Sequence, residues 1–252
     1  MTQLNRQAIS EKIALLPNIR QFHAGWFQSY ALDEWPQGNQ AGSAKQRAIE
    51  RLTRCEPDAF YVAAYARWKK LGKRVDFEQV ELPLETRLYI GVTRDNALET
   101  GISVSHSYGM PIIPGSSIKG LTRAWAESLK QVSGGALDDE TLNWLFGEGG
   151  DAGETGGLIF HDAWWVPEGK PFVEEIITPH QKGYYGSEGQ KPPSDFEDPI
   201  PAPQIAVQGK FLFTVEGDLP WVAMGRQLMV SALNRFGIGS KTTSGYGYFK
   251  KP

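Results

Sequence analysis

The residues best suited to chemistry lie near the C-terminus, in the segment GIGSKTTSGYG at positions 237–247. Glycine permits positive φ and lets a second molecule approach the backbone closely. Successive amides in such a loop, joined by hydroxyls and a cation, form a concave anion site. The segment therefore predicts an anion-binding loop, and its candidate contacts are Gly237, Gly239, Lys241, Thr242 and Thr243. The structural alternative is a long turn in which Gly237 ends a helix.

A second candidate anion site is IPGSSIKG, at positions 113–120, directly before a predicted helix. Free amides at a helix start favour a phosphate, and Ser116, Ser117, Lys119 and Arg123 place hydroxyls and cations nearby. The glycines around Lys119 do not have the spacing of the phosphate-binding motif G-x-x-x-x-G-K-[ST], which argues against a nucleotide triphosphatase. The alternative is an ordinary helix, capped by Ser116, with a lysine that faces solvent.

The net charge of −3 conceals a segregation of charge along the chain. Residues 138–198 hold fourteen acids and three bases, a balance of −11, so the remainder carries +8. The stretch 45–74 has nine bases and three acids, and 224–252 has five bases and no acid. Basic surface concentrated in a few elements favours a polyanionic partner, although solvated helix faces also carry such charge.

Enzymatic sites are poorly supported by the remaining polar residues. His161–Asp162 resembles a metal-binding dyad, but the chain has only four histidines, and neighbours on a strand point to opposite faces. Cys55 lies on an apolar helical face, and the acidic loop 148–154 lacks calcium-loop spacing. The sequence therefore predicts no metal, no cofactor and no catalytic residue.

The composition predicts a cytoplasmic globular protein. A single cysteine suits a reducing compartment, and no apolar run approaches the roughly 18 residues of a membrane span. The apolar part of the N-terminal segment is too short for a signal peptide, and the segment carries too many charged residues.

Hydrophobic periodicity and turn residues predict the elements that carry these motifs. Helices are expected up to Leu71, capped at Ser43 and broken at Pro57. Further helices are expected over 117–130, 139–146 and 221–236, and strands over 88–92, 102–105, 157–166, 205–215 (bent at Gly209) and 246–250.

The order of these elements predicts an α+β fold. Without the first helices, it reads strand, helix, strand, strand, helix, strand, which is the split βαβ, ferredoxin-like or RRM-like core, with an antiparallel sheet under two helices. The expected organisation is a helical N-terminal extension over 1–75 and an RRM-like domain over 76–252. A Pro/Gly-rich, acidic insertion is expected at about 167–203.

The two glycine-bordered motifs together resemble the RAMP superfamily of CRISPR-associated RNA-binding proteins. Within it, YGMPIIPGSSIKGLTR, LFG, GLIFHDAWW and IITPHQKGYYG follow in an order that resembles the small subunit counted sixth in the Cmr, or type III-B, effector complex. The resemblance covers roughly residues 84–249. It implies an RRM-like subunit, without catalytic residues, that acts in antiviral defence.

The partners that the resemblance implies are related RAMP subunits, the guide RNA and the duplex of guide with target RNA, held near the guide 3′ end. Single-stranded RNA is bound through backbone cations and aromatic stacking, so His180, Tyr184, Tyr185 and Tyr246 join the candidate contacts. Two alternatives stay open: a metal-independent endoribonuclease that processes guide RNA with His180 or a tyrosine, and a scaffold for which RNA contact is incidental.

Overall fold

The computed structural model describes residues 21–30, 39–92, 100–135, 137–148, 153–178, 190, 192 and 201–252. Its helices are α1 (Ala24–Tyr30), α2 (Asn39–Leu52), α3 (Ala59–Leu71), α4 (Gly115–Ser128), α5 (Asp139–Phe146) and α6 (Trp221–Arg235). Its strands are β1 (Phe77–Pro83), β2 (Ile112–Ile113), β3 (Leu158–Phe160), β4 (Ala163–Trp165), β5 (Phe172–Ile177), β6 (Ala202–Val207) and β7 (Lys210–Gly217). Short 3₁₀ turns lie at Lys130–Val132 and Thr242–Ser244. None of these helices is long and apolar enough to cross a membrane.

The main sheet has five strands and is built around β7. Its order is β1-β7-β4-β2, β3 also pairs with β7, and every pair is antiparallel. Successive residues of a strand face opposite sides, so Phe211 and Phe213 enter one core while Leu212 enters another. A second sheet pairs β5 with β6, and a bridge between Leu88 and Val207 joins this sheet to the rest of the fold.

Helices α4 and α6 cover one face of the main sheet. They pack against each other, and α6 also contacts β1, β3 and β7. The apolar stripe of α6 includes Val222, Met229 and Leu233, which are buried in the same core as Phe213. Because both helices rest on one rigid sheet, the start of α4 and the end of α6 are fixed relative to each other.

Helix α3 covers the opposite face of the sheet. The Tyr61 hydroxyl donates to the Trp165 carbonyl oxygen at 2.5 Å, and the Tyr65 and Lys69 side chains both donate to Glu81 on β1. Burial opposes ionisation of Glu81, but these two hydrogen bonds outweigh it and lower the pKa of the Glu81 carboxyl. Helices therefore pack on both sides of the sheet, α3 on one side and α4 with α6 on the other.

The prediction of an α+β fold is confirmed, and helices α3, α4, α5 and α6 lie where the periodicity predicted them. The break at Pro57 separates α2 from α3, whose N-cap is Asp58. The expected cap at Ser43 was wrong, since that residue lies inside α2. Gly209, with φ of 103°, lies in the turn between β6 and β7, so the expected bent strand is two strands in two sheets.

Several predicted strands are shorter than the sequence indicated. The segments 88–92, 102–105 and 246–250 form only isolated bridges, and 157–166 breaks into β3 and β4 at His161–Asp162. Strand β5 falls within the predicted insertion, and β1, which the sequence did not predict, takes the edge of the main sheet. Every described strand pair of the main sheet is antiparallel, which agrees with the antiparallel sheet of the predicted core, and the split βαβ order itself stays a prediction.

Candidate nucleic-acid interface

A groove of about 620 Å³ forms where α4 begins, α6 ends and the loop 237–247 returns to the core. It joins the two motifs, because Ser117 of the first lines it together with Gly237, Gly239, Thr242 and Thr243 of the second. Its remaining lining residues are Leu121, Arg235, Phe236, Ile238 and Tyr248. Two segments about 120 positions apart in the sequence therefore share one surface.

The glycines of the loop are required mainly by the loop's own packing. All four have positive φ, and a Cβ at Gly239 would lie 2.2 Å from the Tyr89 carbonyl oxygen. A Cβ at Gly247 would lie 2.0 Å from the Ile238 carbonyl oxygen, whereas one at Gly245 would meet nothing within 4 Å. The glycine content therefore reflects an internal fit as much as room for a ligand.

Lys241 occupies a left-handed backbone conformation, with φ of 62° and ψ of 30°. It is the one non-glycine residue with positive φ in the described part of the chain. A side chain in this region costs roughly 1–2 kcal/mol, and such residues concentrate at functional sites. The ammonium group is exposed and has no hydrogen bond or ion pair with any described residue. The amides of Thr242 and Thr243 likewise donate to no described carbonyl.

The start of α4 is closed by the protein itself. The Gly115 amide donates to Asp162 Oδ1 at 2.7 Å, so a carboxylate from the β3–β4 connection takes the place of the expected phosphate. Ser116 is exposed in the first turn and does not cap the helix, contrary to the prediction. What this motif offers a ligand is the exposed Ser117 side chain and the half-buried Lys119, whose ammonium has no partner among the described residues.

Arg123 is partly exposed and bonded to three neighbouring residues. Its guanidinium donates to Glu127, to the Gly147 carbonyl oxygen at 2.7 Å and to Asn143 at 3.2 Å. These contacts fasten the C-terminal end of α5 to α4. Three of its five N–H donors are engaged in these contacts, so Arg123 has a structural role in the described arrangement, and its predicted RNA contact stays a prediction.

The charge of the lining distinguishes this groove from two others. A groove of about 750 Å³ beside Tyr246 includes Glu85 and Glu175 together with Arg87 and Lys210. A third, of about 620 Å³ beside α5, includes three glutamates, Glu140, Glu148 and Glu154. Of the described residues, no carboxylate lines the groove between α4 and the loop, and the one charged residue that does, Arg235, has no partner among them. An anion is therefore favoured there and disfavoured in the groove beside α5, whereas the acids and bases of the groove beside Tyr246 balance each other.

Tyr246 lies on the far side of the loop from this groove. Its ring packs against that of Tyr89 at 4.8 Å, and burial followed by the charge of Glu175 raises the pKa of its hydroxyl. The other predicted aromatic and histidine contacts, Tyr184, Tyr185 and His180, lie outside the described residues.

The aromatic surface of the groove comes from residues that the sequence did not single out. Phe236 is 40% exposed at the end of α6, and its ring packs edge-on against Trp125. Tyr248 donates its hydroxyl to the Thr242 carbonyl oxygen at 3.2 Å. The available signal was the position of Phe236 between a helix and its terminating Gly237, where an aromatic residue is only partly covered.

The residues suggested for enzymatic chemistry have separate structural partners. His161 Nε2 lies 2.9 Å from Glu216, and the His161 ring stacks on Phe77. Asp162 caps α4, as above. The Cys55 thiol donates to the Phe22 carbonyl oxygen, and burial raises its pKa to about 12. The part of the chain given by the structure contains no cluster of three metal-ligating side chains.

Comparison with known proteins places the chain among CRISPR-associated proteins. A model of the RAMP superfamily matches residues 81–250. The CRISPR system Cmr subunit Cmr6 of Pyrococcus furiosus is 30% identical over 227 aligned positions, which cover 65% of this chain and 64% of that relative. The Cmr6 subunit of Saccharolobus solfataricus is 28% identical over 182 positions, which cover 70% of this chain and 57% of that relative. The chain thus spans less than two thirds of either relative.

The fold also matches a solved structure. A chain of the type III-B Cmr-beta complex bound to cognate target RNA, determined by cryo-EM, superposes with a TM-score of 0.64 and 24% identity. The match covers 84% of this chain and 72% of that one. The expected resemblance to the sixth Cmr subunit is confirmed by the names of both sequence relatives.

Proposed function

This chain belongs to the RAMP superfamily and is Cmr6-like, and we propose that it is a non-catalytic RNA-binding subunit of a type III-B CRISPR effector complex. Its ligand in this proposal is the guide RNA near its 3′ end, together with the duplex that the guide forms with target RNA. Its protein partners are the other RAMP subunits of the complex.

The observation that carries the proposal is the groove between α4 and the loop 237–247. Among the described residues, its lining holds one cation, Arg235, the hydroxyls of Ser117, Thr242 and Thr243, an exposed aromatic ring and no carboxylate. Cations and free hydroxyl or amide donors suit the phosphates and sugars of an RNA strand, and an aromatic face suits an unstacked base. None of these contacts depends on base identity, which is what a subunit that must accept any guide sequence requires.

The proposed contacts divide into three sets in and around this groove. Lys241, with the free amides and hydroxyls of Thr242 and Thr243, forms the loop side. Ser117 lines the α4 side, and Lys119 follows it two residues later on the same helix; Arg235 and Phe236 line the groove where α6 ends. The lining includes no histidine and no carboxylate, so it offers no pair of side chains for acid–base cleavage of RNA.

The test is equilibrium binding of the purified full chain to fluorescently labelled single-stranded RNA of two unrelated sequences at several salt concentrations. We expect similar affinities for both sequences. Lys119→Ala and Lys241→Ala should each lower the slope of log affinity against log salt by about 0.7, the value for one phosphate contact on a single strand. Lys73→Ala, which removes an exposed lysine beyond α3, is the matched control. Unchanged slopes in both test variants would refute the proposal.

The same preparation separates the proposal from the nuclease alternative. The RNA should stay intact after prolonged incubation with the chain in EDTA. Cleavage that His180→Ala abolishes would show a metal-independent endoribonuclease instead.

A further inference from the structure

Helix α3 carries apolar residues on all sides. Its sequence, AFYVAAYARWKKL, has ten apolar residues out of thirteen. A surface helix normally has one apolar stripe, whereas a helix that is apolar all round is normally buried. The sheet accounts for only one side of α3, through Tyr61, Ala64 and Tyr65. The helix also precedes the region matched by the superfamily model, which begins at residue 81.

The outward side of α3 is exposed at its N-terminal half. Phe60 is 79% exposed and Val62 is 43% exposed, and by helical spacing the exposed Ala59, Ala63 and Ala66 lie between them around the helix. An exposed phenylalanine flanked by small residues resembles the aromatic anchors of protein interfaces, with room beside it for a partner's backbone or side chains.

The C-terminal half of the same side is basic. Arg67, Lys70 and Lys73 are exposed, and their charged groups have no hydrogen bond or ion pair with described residues. By contrast, Lys69 is paired with Glu81, and Arg74 with Asp76. Three cations are therefore left uncompensated by the fold, next to an apolar patch.

The helix is held rigidly enough to serve as a docking element. Asp58 caps its N-terminus by accepting from the Tyr61 amide at 2.7 Å, and the Tyr61 hydroxyl is bonded to β4. The Trp68 ring packs parallel to that of Trp164 at 6.2 Å. Since the inward side is fixed in this way, docking on the outward side requires little further ordering of α3.

From this surface we infer that the outward side of α3 is a docking site for a protein partner whose contact surface is apolar at its centre and bears carboxylates at one edge. The apolar half receives Phe60, and the carboxylates pair with Arg67, Lys70 and Lys73. RNA fits less well, because a sugar–phosphate strand would satisfy the cations but leave Phe60 and Val62 exposed to water. The inference rests on the proposed function only in that the partner is a subunit of the same complex.

The test places the photo-crosslinking amino acid p-benzoylphenylalanine at Ala63 in the full chain, co-produced with the other subunits of its effector complex. The expected product joins position 63 to one other protein subunit, at a segment that contains Asp or Glu. Phe60→Ser should lower the crosslink yield at least about fivefold, the effect of losing a contact worth about 1 kcal/mol. Val132→Ser is the control, since Val132 is also 79% exposed but lies beyond α4.

The outcomes are distinguishable from those of the RNA experiment. A crosslink to RNA, to the chain's own residues 1–20, or to no molecule would overturn the inference. So would a protein crosslink that Phe60→Ser and Arg67→Glu leave unchanged. Phe60→Ser should leave RNA affinity of the isolated chain unaltered, and Lys241→Ala should leave the crosslink unaltered, so either proposal can fail alone.

Discussion

Replacing Lys241 with glycine should stabilise the fold and weaken RNA binding at the same time. The residue has φ of 62°, a region that costs a lysine roughly 1–2 kcal/mol and that glycine adopts freely. Glycine makes the unfolded chain more flexible, which offsets roughly 0.5–1 kcal/mol of this gain. The net expectation is a stabilisation of about 0.5–1 kcal/mol, or a rise in Tm of about 2 °C for a chain of this size.

The expected loss of RNA affinity follows from the removed charge. The Lys241 ammonium has no partner among the described residues, so its removal disturbs no contact of the described fold. One phosphate contact to a single strand contributes about 0.7 to the salt slope, which corresponds to about fourfold in affinity at 0.15 M salt. Fluorescence anisotropy across a salt series measures both quantities.

Two further substitutions at this position separate strain from charge. Lys241→Arg should keep the salt slope and the Tm of the parent, because it keeps both the charge and the strain. Lys241→Asn should behave like the glycine variant in RNA binding, since asparagine tolerates the left-handed region without a charge. A glycine variant with an unchanged salt slope, or with a lowered Tm, would refute this reasoning.

Three other perturbations test the structure around the site. In urea unfolding, Gly239→Ala should destabilise the fold by at least about 3 kcal/mol, because its Cβ would meet the Tyr89 carbonyl oxygen. Gly245→Ala should cost only about 1 kcal/mol, the strain of a left-handed backbone, because its Cβ meets nothing. Equal losses of stability in the two variants would contradict the packing described. The pKa of Glu81 in the folded chain lies below its unfolded value near 4.3, so the ionised carboxylate stabilises the fold above that pH. This stability is lost as the pH falls through the folded pKa. Glu81→Gln should therefore flatten that part of an acid-unfolding curve. The raised pKa of Cys55 predicts that a disulfide reagent reacts with this thiol at pH 8 only after unfolding, and rapid reaction of the native chain would show that it is accessible.

The sequence predicted the helices around the site well, because their apolar periodicity is local. Helix α5 begins and ends at the predicted residues, and α6 ends one residue early. Short strands were predicted poorly, since their existence depends on partners far along the chain. Strand β1 is held by β7, more than 120 positions away, and no pattern within 77–83 reveals that pairing.

The candidate site was predicted in its position and only partly in its chemistry. Ser117 lies close to the loop 237–247 because α4 packs on α6. The predicted order of elements implied that these two helices pack together. The capping of Gly115 by Asp162, 47 positions away, was hidden because it depends on the tertiary fold. The need for glycine at 239 was hidden for the same reason, since the atom it avoids belongs to Tyr89.

The most direct test of the central claim is to map where RNA touches the chain. RNA that contains 4-thiouridine can be bound to the full chain, crosslinked by ultraviolet light and located by mass spectrometry of the peptides. The account predicts crosslinks in two segments, 115–123 and 235–250, and their loss in a Lys119→Ala/Lys241→Ala variant. Crosslinks confined to α3, or to the acidic groove beside α5, would contradict it.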